Sequence, residues 1–86
     1  MYLSNSLINI LCKYNVSFSV KYKATDIGSV IELIKIDDIN KNIIIKPLSN
    51  IGYILEIDGN LIEIDKYETL CVHLVSNGVL PTDAWF

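Results

Sequence analysis

The stretch from Gly52 to Asp65, GYILEIDGNLIEID, constrains the fold more than any other part of the chain. On its first arm Tyr53, Leu55 and Ile57 alternate with Ile54 and Glu56. On its second arm Ile62 and Ile64 alternate with Leu61, Glu63 and Asp65. A period of two is the signature of a half-buried strand. Asp58-Gly59-Asn60 lies between the arms, and Asp-Gly favours a tight hairpin because both residues tolerate positive φ. A two-residue turn at Asp58-Gly59 or at Gly59-Asn60 puts Tyr53, Leu55, Ile57, Ile62 and Ile64 on one face. A loop one residue longer would send Glu63 into the core and is rejected on register. Asp58-Gly59 is the better turn, because the other opposes Glu56 to Glu63 and like charges repel across strands. Five inward apolar side chains then need a cover from the rest of the chain.

Two segments can supply it. Ser4 to Tyr14 carries Leu3, Leu7, Ile10, Leu11 and Tyr14 at helical spacing, with Ser4 as N-cap and Asn15 as a left-handed ending. Asp65 to Ser76 carries Tyr67, Leu70, Cys71, Leu74 and Val75 on one stripe. Asp65 and Glu68 form a D-x-x-E capping pattern. Asn77-Gly78 stops this helix, Val79 completes a Schellman ending, and Pro81 prevents resumption.

Between the helices the chain reads as strands. Val16 to Lys23 alternates Val16, Phe18, Val20 and Tyr22 with Ser17, Ser19, Lys21 and Lys23, and Ala24 to Gly28 makes a connection. Val30 to Asp37 also fits a helical stripe through Ile27, Val30, Ile31 and Ile34. Its β-branched content favours a strand paired with Ile43–Pro47 across the turn at Asp37–Asn42. Pro47 cannot donate to a ladder, so it belongs at an edge or bulge. The order α-β-β-β-β-β-α gives a single α+β domain over residues 1–86. It is a five-stranded antiparallel sheet or open barrel with helices on one face, followed by a C-terminal tail over 79–86.

With 86 residues the chain makes one domain, and at 51% hydrophobic it is not disordered. No apolar run spans a bilayer. Met-Tyr-Leu-Ser-Asn-Ser lacks the positive start of a secretory signal, and two cysteines make no disulfide framework, so a cytoplasmic setting is expected. The net charge is −3, carried against seven lysines and no arginine. The missing arginine disfavours phosphate and base-edge recognition.

The chemistry-bearing residues are few. Cys71 and His73 are two apart on a helix and diverge, so they share no metal; Cys71 reads as core and His73 as solvated. No zinc set, nucleophile elbow or phosphate-cradling glycine loop is present in the sequence. Tyr53 and Tyr67 read as core, and Tyr22 as packed rather than base-stacking. The candidate partner-binding residues are Asp37, Asp38, Glu56, Glu63, Asp83, Trp85 and Phe86. The carboxylates suit a basic protein surface. The terminal aromatics suit an anchor, either on the domain itself or in a dimer that exchanges identical tails. The expected function is a small non-enzymatic protein-binding module or inhibitor without cofactor, metal or membrane. One form of it is a phage or mobile-element protein that blocks a host defence nuclease. The alternative is a nucleic-acid-binding small barrel using Lys21, Tyr22 and Lys23; a small enzyme built on His73 or a carboxylate comes third.

Overall fold

The computed structural model describes residues 5–37, 39–48 and 52–84. It is an α+β domain with the expected element order. Helix α1 (Asn5–Lys13) is followed by β1 (Phe18–Thr25), β2 (Gly28–Ile36), β3 (Ile43–Leu48), β4 (Gly52–Ile57), β5 (Asn60–Ile64) and helix α2 (Tyr67–Ser76). The strands form one open antiparallel sheet in the order β1-β2-β3-β4-β5. Each strand pairs with its sequence neighbour, the simplest outcome for chains joined by short turns.

The β4–β5 hairpin has the register that charge and burial select. Ile57 pairs with Asn60, so Asp58-Gly59 is the turn, with φ of +49° and +88°. These are the two positive φ values of a type I′ turn. Glu56 therefore opposes Leu61, and Glu63 opposes Ile54. Tyr53, Leu55 and Ile64 are buried, with Ile57 and Ile62 packed at the margin.

Both helices cover the same side of the sheet. Leu7, Ile10 and Leu11 of α1 join Leu70, Cys71 and Leu74 of α2 in one core with Ile34, Ile36, Ile43, Ile45, Tyr53, Leu55 and Ile64. Each such aliphatic side chain contributes about 2 kcal/mol by leaving water. The Tyr67 hydroxyl donates to the Ser6 carbonyl at 3.2 Å, tying α2 to α1. Val79 and Leu80, the start of the expected tail, are also buried in this core.

The two helices end alike. The Val79 N–H donates to the Leu74 carbonyl and the Gly78 N–H to Val75, with Gly78 at φ +78°. The Val16 N–H donates to Leu11 and the Asn15 N–H to Cys12, with Asn15 at φ +56°. Both are Schellman endings closed by an apolar residue. The start of α2 differs from expectation. Its N-cap is Lys66, which makes no side-chain cap bond. Asp65 lies one residue too early, because the Ile64–Tyr53 pair holds the strand up to that point. Ser4, the expected cap of α1, lies outside the described residues.

The β1–β2 hairpin is longer than the sequence pattern implies. Instead of a connection at Ala24–Gly28, pairing continues to Thr25↔Gly28 around Asp26-Ile27. Gly28 takes φ +124° there, and the Thr25 hydroxyl donates to its carbonyl. A bulge follows, since Lys21 pairs with Leu33 but Tyr22 with Ile31, leaving Glu32 as the extra residue. β2 pairs with β3 only over Ile34–Ile36, so the distal hairpin stands away from the sheet as an arm. Tyr22 on this arm is 61% exposed, so it is not the packed core residue expected. Pro47 lies beyond the last β2–β3 rung and opposite Tyr53 of β4. β3 is central in the strand order, yet it is a free edge where Pro47 needs one.

Candidate functional site

Among the described residues no helix or strand covers the second face of the sheet. Strand alternation and register place its side chains in rows. One row runs Ser19, Lys35, Ile44, Glu56, Leu61 from β1 to β5. The next runs Lys21, Leu33, then Lys46, Ile54 and Glu63, with the β2–β3 gap between Leu33 and Lys46. Lys23 continues this face on the arm.

Two properties stand out in these rows. Apolar side chains run across the face from β2 to β5: Leu33, Ile44 and Ile54 are half-buried, and Leu61 is 66% exposed. Charge is also sorted by strand. Lysines occur on β1, β2 and β3, while β4 and β5 carry only Glu56 and Glu63. The lysine side is partly neutralised at its borders. Lys21 Nζ lies 3.5 Å from Glu32, and the Ser19 hydroxyl donates to Asp37 at 2.8 Å. Across the middle, Lys46 Nζ reaches Glu56 at 3.8 Å. These exposed pairs add little stability, so the sorting is not explained by folding.

A cleft of about 530 Å³ opens where β2 leaves β3, lined by Lys23, Thr25, Val30, Ile31, Glu32, Lys46 and Pro47. It lies at the lysine side of the face and holds no histidine or cysteine. The one cysteine–histidine neighbourhood is elsewhere. Cys71 is fully buried, and burial pushes its thiol pKa up. Burial likewise raises the Tyr67 hydroxyl, reinforced by the adjacent Cys71. His73 is half-buried, not solvated as expected; its carbonyl accepts from the Asn77 side chain at 2.8 Å. No group of three or more potential metal ligands occurs among the described residues.

The sequence-derived candidates are distributed as follows. Glu56 and Glu63 fall together on the uncovered face. Asp37 is half-buried at the end of β2, held by Ser19. Asp83 is exposed near the core-packed Ala84. Asp38, Trp85 and Phe86 lie outside the described residues. Sequence reasoning set Ile54 and Leu61 beside the two glutamates but missed the lysines and the aliphatics of β2 and β3 that share the face. Their signal was present: every outward position of β2, β3 and β4 is legible once the registers are known. No helix of the described residues is long and apolar enough to cross a membrane. No protein-family model matches the chain, and neither the curated proteins nor the solved structures give a match.

Proposed function

We propose that the protein is a small binding module that acts by covering part of a protein partner's surface with the helix-free face of its sheet. The observation that carries this reading is the uncovered apolar track from Leu33 to Leu61. A sheet face with no covering layer normally carries polar residues at alternate positions. Here Leu33, Ile44, Ile54 and Leu61 occupy those positions, and ordered charges flank them. A face on which uncovered apolar side chains interleave with sorted charges is suited to recognising a protein surface. In the inhibitor form of this proposal, Glu56 and Glu63 meet the basic groove of a host defence nuclease and the protein works by stoichiometric occupation.

Nucleic-acid binding through the same lysines has less support. Tyr22 alternates to the face opposite Lys21 and Lys23, so stacking and phosphate contact do not coincide on one surface. Lys21 and Lys46 are moreover ion-paired.

The test is recovery of partners from the native host with Leu61→Lys, Glu56→Lys and Glu63→Lys variants. All three residues lie outside the core, so the variants should melt with the parent. Loss of the same protein in all three supports the face as the binding surface. Recovery of that protein by every variant removes the face from consideration.

A further inference from the structure

We propose that the helix-free sheet face binds the same face of a second copy of this chain, about a two-fold axis running along β3. This rests on the reading of that face as a protein-binding surface and names its partner. Sheets that pack face to face lie about 10 Å apart with strands within about 30° of parallel. A two-fold axis along the central strand reverses the strand order, so β1 lies over the partner copy's β5 and β2 over its β4.

The sequence of each row is complementary to its own reverse. In the first row Lys35 of one copy faces Glu56 of the other, and Ile44 faces Ile44 on the axis. In the second row Lys21, which also lies 3.5 Å from Glu32 of its own chain, faces Glu63, and Leu33 faces Ile54. Opposite charges meet, and apolar groups meet apolar groups, across most of the surface. Two positions are exceptions: Ser19 faces Leu61, and Lys46 faces itself, each Lys46 lying 3.8 Å from the Glu56 of its own chain that also faces Lys35 of the other copy. Counting Glu32 and Asp37 with the four lysines of this face, the β1–β3 side carries two positive charges and the β4–β5 side two negative ones. A partner with a uniformly basic surface would satisfy only the second side.

Five strands spaced about 4.8 Å apart, each giving about 17 Å of paired length, outline a face of about 400 Å². Two such faces, enlarged by side-chain relief, fall at the small end of specific interfaces, so dissociation on the order of micromolar is expected. The Lys21–Glu63 pairs lie on the outer strands, so the dimer should weaken as salt screens them, while the Lys35–Glu56 pairs flank Ile44 and are screened less.

The experiment is sedimentation equilibrium of the full chain from about 10 to about 500 µM, a range that brackets micromolar association. The parent is expected to reach twice the chain mass at low salt. Lys35→Glu and Glu56→Lys each create two repulsive contacts in their own homodimer and should be monomeric, with unchanged circular dichroism. Mixed one to one, the two variants should associate, because a heterodimer has both contacts complementary. A parent that stays monomeric throughout, variants that remain dimeric, or a mixture that stays monomeric would each overturn the proposal. If the parent is monomeric, the binding-module reading is judged separately. It survives if Leu61→Lys abolishes capture of a heterologous partner, and it fails if capture persists.

Discussion

Asp58 and Asn42 hold each other through two hydrogen bonds. The Asn42 N–H donates to the Asp58 carboxylate at 2.8 Å, and the Asp58 N–H donates to the Asn42 carbonyl at 2.9 Å. Asp58 also takes φ +49° as the first residue of the β4–β5 turn. One residue thus shapes the turn and fastens it to the start of β3. Asp58→Ala should lower stability by about 2 kcal/mol, because alanine loses both the hydrogen bond to Asn42 and the short polar side chain that makes a positive φ tolerable. Asp58→Asn keeps an acceptor and tolerates the same φ, so it should lose less than half as much. Urea denaturation measures both, and equal losses would show that the side chain does not fasten the turn.

The uncapped start of α2 is a place to gain stability. Lys66 occupies the N-cap with φ −130° and ψ 145°, an extended conformation suited to a capping side chain, but lysine offers no acceptor. Its charge also opposes the positive end of the helix dipole. Lys66→Asp should stabilise by about 1 kcal/mol, with Lys66→Ser somewhat less effective because it adds the acceptor without the charge. Thermal melts of the three proteins test the order. A destabilised Lys66→Asp would mean that the lysine is held by something other than the helix end.

The Schellman endings differ only in the residue at the left-handed position, Asn15 after α1 and Gly78 after α2. A Cβ at Gly78 would meet nothing within 4 Å, so the cost of Gly78→Ala is conformational rather than steric contact. That cost should be about 1 kcal/mol. Asn15→Gly should be neutral within a few tenths, while Asn15→Val should lose about 1 kcal/mol or more, because β-branching is poorly accommodated at positive φ. Matched losses for glycine and valine at position 15 would indicate a side-chain role for Asn15 instead.

These endings, like the Asp58-Gly59 turn, were legible because the controlling residues are adjacent in sequence and chemically distinctive. Local signals gave the element order and the β4–β5 register for the same reason. The arm was not legible. Asp26-Ile27 is a weak turn signal, and the bulge at Glu32 depends on how β2 leaves β3, which no local pattern encodes. The D-x-x-E pattern at Asp65 misled because tertiary pairing of Ile64 with Tyr53 fixed where the strand ended. For the candidate site, alternation identified Glu56 and Glu63 as outward residues. It also set Ile54 and Leu61 beside them, but it could not show that Lys35 and Ile44 share their surface, because that fact is created by the β2–β3 and β3–β4 pairings.

The two cysteines should behave as different chemical species. Cys12 is exposed and Cys71 is fully buried beside Tyr67. A disulfide-exchange reagent should modify Cys12 in the native protein and reach Cys71 only on unfolding, since the thiolate is the reactive form and burial withholds it. The same burial makes stability depend on pH. The unfolded Cys71 thiol ionises near its ordinary value of about 8.5, whereas the folded thiol keeps its proton to higher pH. Between those two values the folded chain binds more protons than the unfolded one, so stability falls as pH rises. Tyr67 adds a fall of the same sign above about pH 10, the ordinary value for tyrosine, because its folded pKa is raised as well. Below about pH 8 neither group contributes a slope. Urea denaturation at stepped pH should therefore show stability level from about pH 7 to 8 and declining above it. Cys71→Ala should flatten the earlier part of the decline, and Tyr67→Phe the later part. An unchanged slope in Cys71→Ala, or two thiols reacting at one rate in the native protein, would show that Cys71 is not sequestered in the core.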